Sequence, residues 1–316
     1  MMNLIRLMGL IGCAALVAAC GKEAVSPMRV GTVQWPGYEP LYLARTLEYF
    51  NESQVKLIEH TATTETIDAY RNEAIDLAGL TLDEVLRLKQ QGKDVKIILA
   101  MDVSNGADVI VARQGITSMQ GLKGKRVGVE ANALGAYMLG RGLELAGMKP
   151  ADIRIVPLQF SEHESAFLQK KVDAVVTFDP GRTKLLKQGG TVVFDSSRIP
   201  NEIVAALVVR PDYLEKNRDK VRQLVNAWYR ALDYLGQHRE EAARHMAARH
   251  GISPEEFLDS LDGLKLISRE ENERLIGGSA PQIKDTLRRL NGLMKDKGLL
   301  EGDVNLDDLV DPGVLH

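Results

Sequence analysis

From Met28 onward, short apolar runs rich in β-branched residues alternate with segments of helical period. That alternation restricts the chain to α/β architectures, because each run must pair in a sheet while each helix covers a face. Met28–Gln34, Val55–His60, Ala74–Leu80 and Val95–Met101 read as strands. Between them, Pro40–Phe50, Thr64–Asn72 and Asp83–Gln91 read as helices, with Thr64 a candidate cap. Continuous apolar strands separated by helices indicate parallel pairing buried on both faces. After a strand at Val109–Ala112 the alternation restarts. Strands are expected at Lys125–Glu130, Ile153–Pro157, Ala174–Phe178, Thr191–Asp195 and Leu207–Arg210. Helices are expected at Ala136–Ala146, His163–Lys170 and Arg182–Gln188, then from Arg218 to about His250, with a mostly helical remainder and a turn-rich end at Val304–Leu309. No internal repeat is evident along the chain.

One α/β unit therefore begins, a second is inserted, and helices close the chain. The expected division is lobe 1 from 28–113 plus 208–316, and lobe 2 from 114–207. The connections are expected near Val111–Gly115 and Ala206–Pro211, where two crossings would form a hinge. The 316 residues suit two such units. Forty Lys+Arg against 43 Asp+Glu give a net charge of −3, which lacks the basic footprint of a nucleic-acid binder.

The first twenty residues differ from the rest. Arg6 precedes an apolar run, Leu7 to Ala19, that ends in small residues before Cys20. This is the layout of a secretory signal over 1–19. The run of about 13 residues falls short of the roughly 20 needed to span a bilayer. Leu16-Val17-Ala18-Ala19-Cys20 resembles a bacterial lipobox. The resemblance implies cleavage before Cys20, acylation of that residue, and a tether over 20–27 that holds the protein at the periplasmic or extracellular membrane surface. The only other cysteine, Cys13, lies in the leader, so neither a disulfide framework nor a cysteine zinc site is expected.

Five segments, in order, resemble one family. They are Gly31-Thr32-Val33-Gln34-Trp35-Pro36-Gly37-Tyr38-Glu39-Pro40, then Arg71 to Ala78, Leu122 to Val129, Lys171 to Pro180, and Gly298 to Val310. The chain is similar to the periplasmic substrate-binding proteins of ABC importers, in the nitrate/sulfonate/taurine and thiamine-pyrimidine-precursor (NMT1/THI5-like) group. The resemblance covers about residues 28–312. It implies a type II periplasmic binding fold, two α/β lobes joined by two crossing strands with a ligand cleft between them. It also implies an ABC permease as partner. A monomer without cofactor or metal is expected.

In open α/β sheets, ligands bind beyond the carboxyl ends of the strands. That rule selects Gln34, Trp35 and Tyr38, then Thr81 and Asp83, then Asp102, Ser104, Asn105 and Asp108. From the second unit it selects Glu130, Asn132, Tyr137, Thr177, Asp179 and Asp195. Trp35 and Tyr38 read as stacking surfaces rather than core aromatics, because their Pro-Gly neighbours place them in a loop. Thr81, Asp83 and Asp179 read equally as helix caps, and Ser104-Asn105-Gly106 reads as part of the site rather than a plain turn, because it lies between a buried strand and a hinge strand. Six of the chosen residues are acidic, counting Asp83, Asp102, Asp108, Glu130, Asp179 and Asp195, with Arg182 the one nearby cation. Such a set repels oxyanions, so the expected ligand is a small organic molecule, neutral or cationic and nitrogenous. A sensory lipoprotein would need the same binding chemistry. An enzyme on this fold is the remaining alternative, with His163 the histidine placed nearest a cleft. The cysteine-rich iron motif of the related pyrimidine synthases is absent. Gly124-Lys125 lacks the rest of a P-loop.

Overall fold

The computed structural model describes residues 26–130, 133–278 and 280–316. The leader, Cys20 and Asn132 lie outside the described residues.

The chain opens with β1 (Met28–Val33), α1 (Glu39–Thr46), β2 (Val55–His60), α2 (Thr63–Arg71), β3 (Leu77–Thr81), α3 (Leu82–Gln90) and β4 (Lys96–Ser104). The second unit follows as β5 (Val109–Ala112), β6 (Arg126–Val129), α4 (Ala133–Leu145), β7 (Arg154–Pro157), α5 (His163–Leu168), β8 (Ala174–Thr177), α6 (Gly181–Lys187) and β9 (Thr191–Asp195). The chain then returns through β10 (Val204–Val209) to α7 (Pro211–Gln237), α8 (Arg239–His250), α9 (Pro254–Asp262), β11 (Leu264–Leu266), α10 (Arg269–Leu275) and α11 (Ile283–Asp296). The helix expected from Arg218 to His250 is two helices that meet at His238, whose backbone leaves the helical region. Thr64 is not a cap, because α2 already begins at Thr63, with Ala62 in the cap position.

The first sheet has the order β11-β4-β10-β3-β1-β2, and the second β7-β6-β8-β5-β9. Within the first, β1 runs parallel to β2 and β3, while β10 runs antiparallel to both β3 and β4. Within the second, β6 runs parallel to β7 and β8, while β5 runs antiparallel to both β8 and β9. The short edge strand β11 also runs antiparallel to β4 in the first sheet, and in each sheet one antiparallel strand is supplied from the far side of a crossing. This corrects the expected boundaries. Val109–Ala112, expected in lobe 1, pairs wholly within the second sheet, so the first crossing is 105–108. All of β10 lies in the first sheet, so the second crossing is 196–203. The crossings are tied together: Ser104 N–H donates to Ile203 C=O (3.0 Å), and Ser196 N–H to Asp108 C=O (2.9 Å).

The two sheets also share a tie that corrects the expectation of no repeat. Arg29 and Asp76 stand 47 residues apart, as do Arg126 and Asp173. In each pair the aspartate accepts from the arginine's backbone N–H (2.9 Å in both) and from its guanidinium Nε (3.0 and 3.1 Å). In each pair, too, the aspartate N–H donates back to the arginine C=O at 2.8 Å. A third arginine completes both sets, Arg210 N–H donating to Asp76 C=O (3.1 Å) and Arg113 N–H to Asp173 C=O (3.0 Å). The motif Arg-Val-Gly opens both β1 and β6. The beside-strand guanidinium holds the Asp173 carboxyl below its usual range.

Each sheet is covered by helices. β10 is buried along its whole length, as fits a central strand of apolar sequence. In the second lobe, Phe167 of α5 and Leu185 of α6 pack on Val109, Val111 and Val175. Among the described residues, no helix is long and apolar enough to cross a membrane.

Candidate functional site

The carboxyl ends of the strands in both sheets meet at one cleft. Strand β1 ends just before Trp35, whose indole Nε1–H donates to Asp102 Oδ2 at 3.1 Å. Asp102 lies on β4, with β10 and β3 between it and β1, so this bond fixes the floor of lobe 1. Gly37 permits it: a Cβ there would clash with the Asp102 carboxylate and lie 2.5 Å from Trp35 Nε1. Gly79 on β3 works likewise, since a Cβ would stand 2.9–3.1 Å from the Tyr38 ring. Thr81 ends β3 and begins the turn into α3, where its N–H donates to Glu84 Oε2 (2.9 Å). Helix α3 thus carries Glu84 into the cleft through a capping contact.

From lobe 2 come Leu134, Thr177 and Phe178. Phe178 meets Trp35 edge-on at 5.5 Å between ring centres and stacks on Phe160 at 4.4 Å. His163 Nδ1 lies 3.1 Å from Thr177 Oγ1. Glu130, at the end of β6, reaches across and accepts the Thr63 N–H of α2 at 3.1 Å.

The enclosed space consists of two small hollows of about 30 and 20 Å³ that share Asp108, Leu134 and Phe178. A water needs about 10–15 Å³, so this is room for a few waters at most. A larger hollow of about 820 Å³ lies outside, between α4 and β7 of lobe 2 and Lys297 and Leu299 of lobe 1, and Glu130 borders both it and the inner space. The inner space is the candidate site because the unsatisfied groups gather there. Thr81 Oγ1, Asp102 Oδ1, Asp108 Oδ2, Glu84 Oε1 and His163 Nε2 are buried and find no hydrogen-bond partner among the described residues. Native proteins pair most buried polar atoms, so five in one cleft mark an unfilled role.

The electrostatics follow from burial. Asp102 is about 1% exposed and Asp108 about 2%. Burial pushes both carboxyls up to about 7. It raises Glu130 to about 7, against the pull of the Thr64 and Thr63 backbone amides, and raises Glu84 well above its usual range. It lowers His163 to about 4, so this imidazole is neutral near pH 7. Among the described residues, no lysine or arginine lines the inner space.

Of the residues selected from sequence, the cleft brings together Trp35, Tyr38, Thr81, Asp102, Asp108, Glu130 and Thr177. Others are placed elsewhere. Gln34 turns to the opposite side and donates to the Arg249 C=O (2.8 Å). Asp83 is buried beside Glu84 without lining the space. Ser104 sits in the hinge, its Oγ 2.7 Å from Ser196 Oγ, and Asn105 is exposed. The Tyr137 hydroxyl donates to Glu202 (2.5 Å), which Arg141 also holds at 2.8 Å. Asp179 caps α6, accepting from Thr183 N–H (2.9 Å) and pairing with Arg182 (3.3 Å). Asp195 caps the short turn after β9 by accepting the Ser197 N–H (2.9 Å). Glu84 was not selected, whereas Leu134 lies in a segment that the strand-end rule reached and His163 was placed near a cleft for the enzyme alternative. The Thr81–Glu84 spacing of a capping box was a readable signal for Glu84.

The NMT1/THI5 like family model matches residues 35–242, about two thirds of the chain. The chain belongs to the NMT1/THI5 like family. Its relatives are distant. A Bacillus subtilis protein named as an aliphatic sulfonates-binding protein is 25% identical over 243 residues, 74% of this chain and 73% of the relative. A Saccharomyces cerevisiae protein named as a 4-amino-5-hydroxymethyl-2-methylpyrimidine phosphate synthase is 23% identical over 218 residues, 63% and 64% of the two chains. The alkanesulfonate-binding protein SsuA from Xanthomonas axonopodis pv. citri, solved with MOPS, superposes with a TM-score of 0.77. That match has 19% identity and covers 90% of this chain and 98% of SsuA. The NMT1/THI5 like chain therefore has the periplasmic binding protein fold, in a family whose named members include binding proteins and an enzyme.

Proposed function

We propose that this chain is an extracytoplasmic solute-binding lipoprotein. It captures a small nitrogenous organic molecule, neutral or cationic, between its two lobes and delivers it to the permease of an ABC importer. The observation that carries the reading is the inner cleft, where aromatic walls enclose buried carboxyls with unpaired oxygens. A cleft between two lobes joined by two short crossings suits capture by closure. The relatives named for sulfonates support the transport role, while the lining argues for a different ligand. An oxyanion here would face Asp102, Asp108, Glu84 and Glu130. Ionised, each of these carboxyls would repel an anion 4 Å away by about 4 kcal/mol even at an effective dielectric of 20, and protonated they would offer it no counter-charge.

Binding without chemistry is favoured over catalysis. Both cysteines precede Gly21, and His163 is desolvated rather than poised near neutral pH. The anchor is Cys20. Mass spectrometry of molecules released from the purified protein, backed by a thermal-shift panel, tests the ligand, since a ligand of the folded state raises the melting temperature. Tight binding of sulfonate or nitrate with no nitrogenous base bound would sink the ligand reading. Cys20→Ser should release the protein from membranes.

A further inference from the structure

Resting on the solute-binding reading above, we infer that the ligand is an organic cation with at least two N–H donors, a protonated amine or amidine, which bridges Asp102 and Asp108 and displaces protons from them on binding. The unpaired atoms of the cleft are three carboxyl oxygens, the Thr81 hydroxyl and one imidazole nitrogen. Each can accept a hydrogen bond, the carboxyls on every oxygen once their protons leave, so a cation that carries donors satisfies the whole set. Asp102 keeps Oδ1 open because Trp35 holds Oδ2. Glu84 keeps Oε1 open because the Thr81 N–H holds Oε2. Asp108, at the end of the first crossing, keeps Oδ2 open, and His163 offers Nε2 from lobe 2.

A quaternary ammonium would suit the aromatic faces of Trp35 and Phe178, yet it has no N–H for these oxygens. Among the described residues, no group of three or more His, Cys, Asp or Glu could hold a metal ion. The remaining wall is apolar, formed by Leu134, Ile203 and Phe178; with the lobes parted enough to enlarge the two small hollows, it suits the carbon frame of an organic cation.

Proton displacement follows from what surrounds the two aspartates. Asp83 and Asp179 bear on Asp108, and Asp108 bears on Asp102; all are acidic. Glu84 faces Asp83 and Glu130. The nearby guanidiniums belong to other groups: Arg182 pairs with Asp179, and Arg87 bears on Asp83. The Tyr38 hydroxyl is held neutral, and so is His163. Empty, the two aspartates retain protons up to about pH 7, because burial disfavours their charge. An arriving cation reverses that preference, and the protons leave.

The test is calorimetry on the full chain with matched probes that differ in head group. The small set is ethylamine, acetamidine, acetamide, tetramethylammonium and methanesulfonate. The ring set is benzylamine, benzamidine, benzyl alcohol, benzyltrimethylammonium and benzenesulfonate. The amine or amidine of at least one set should bind roughly tenfold or more tightly than its uncharged and quaternary counterparts, the loss expected when buried acceptors stay unpaired. Affinity should rise between pH 5 and 7 by up to about tenfold per pH unit for each proton displaced. Binding heats at pH 6 should differ between phosphate and Bis-Tris buffers, the latter a hindered tertiary ammonium with a single N–H, by the amount that proton release requires. Asp108→Asn should lower affinity and reduce proton release while the chain still melts cooperatively. Equal binding of the quaternary probes, absence of proton release, or no binding by any amine or amidine overturns the inference. Binding of acetamide alone would leave the solute-binding reading standing and remove this one. Binding of the sulfonates alone would remove the ligand class of both.

Discussion

Glu130 offers the sharpest perturbation of closure. Helix α2 in lobe 1 begins after Ala62, a residue with no side chain able to cap its free N–H groups. The cap comes instead from lobe 2, where Glu130 accepts the Thr63 N–H at 3.1 Å. Glu130→Ala deletes this cap and one cross-lobe hydrogen bond together. Loss of a helix cap costs about 1 kcal/mol, within a range of about 0.5–2. About 1–2 kcal/mol corresponds to a factor of roughly 5–30 in a two-state population, here the closed over the open form. A pH effect accompanies it. Closing buries the carboxyl and raises it from 4.5 to about 7. A raised carboxyl value means that the closed form holds the proton more tightly. Support for closure is therefore complete below about pH 4.5 and is lost as pH rises through 7. If the whole shift arises on closing, the span is about 3 kcal/mol, at 1.36 kcal/mol per unit. Glu130→Gln keeps the accepting oxygen and removes the titration, so it should close normally with a flatter pH profile. Small-angle scattering of the ligand-free protein from pH 4.5 to 8 reads the closed fraction directly. An alanine variant as closed as the parent, with the same pH profile, would refute this account of the cap.

Three further outcomes are expected. Gly37→Ala drives a methyl into the Asp102 carboxylate and breaks the Trp35–Asp102 bond; overpacking of this kind costs about 1–3 kcal/mol, and calorimetry should show ligand affinity lost in a chain that still folds. Asp76→Ala strips the acceptor from the Arg29 N–H and guanidinium, costing about 1–3 kcal/mol in urea unfolding with affinity unchanged, because the tie lies at the opposite end of the strands. Ser196→Ala removes the hydroxyl that accepts from Gly106 N–H (2.7 Å) and pairs with Ser104 (2.7 Å); hydrogen exchange at residues 105–108 should accelerate while exchange in β1 stays slow.

Much of the fold was legible because its strands are short apolar runs bounded by turn residues. Val55–His60, Val109–Ala112 and Thr191–Asp195 have the bounds read from sequence. Sheet membership was not legible, since a run such as Val109–Ala112 carries no local mark of its partners, and the crossing was misplaced by a few residues. The three-residue β11 was missed between helices. The repeat was missed because it is held in two long-range pairs, Arg29–Asp76 and Arg126–Asp173, rather than in continuous identity. At the site, the strand-end rule found Trp35, Asp102, Asp108 and Glu130. It overreached at Asp179 and Asp195, where a carboxylate satisfies its own helix or turn start and is thereby turned away from the cleft. Nothing local distinguishes a capping aspartate from one that faces a ligand.

The placement of the two ties separates what holds the frame from what lines the cleft. Arg29 and Asp76 bind at the start of β1 and β3, and Arg126 and Asp173 at the start of β6 and β8. The cleft groups all lie at the other ends: Trp35 after β1, Thr81 closing β3, Asp102 near the end of β4, Glu130 after β6 and Thr177 closing β8. Register is therefore fixed at one edge of each sheet and chemistry is displayed at the opposite edge. Buried carboxyls at the displayed edge weaken the ligand-free protein, because each must stay protonated or ionise at a cost. The core strands do not depend on them, so that cost falls on the cleft and its closure rather than on the pairing of the sheets. A substitution at the displayed edge can then change which charge the cleft accepts while both ties, and with them the two sheets, remain in place.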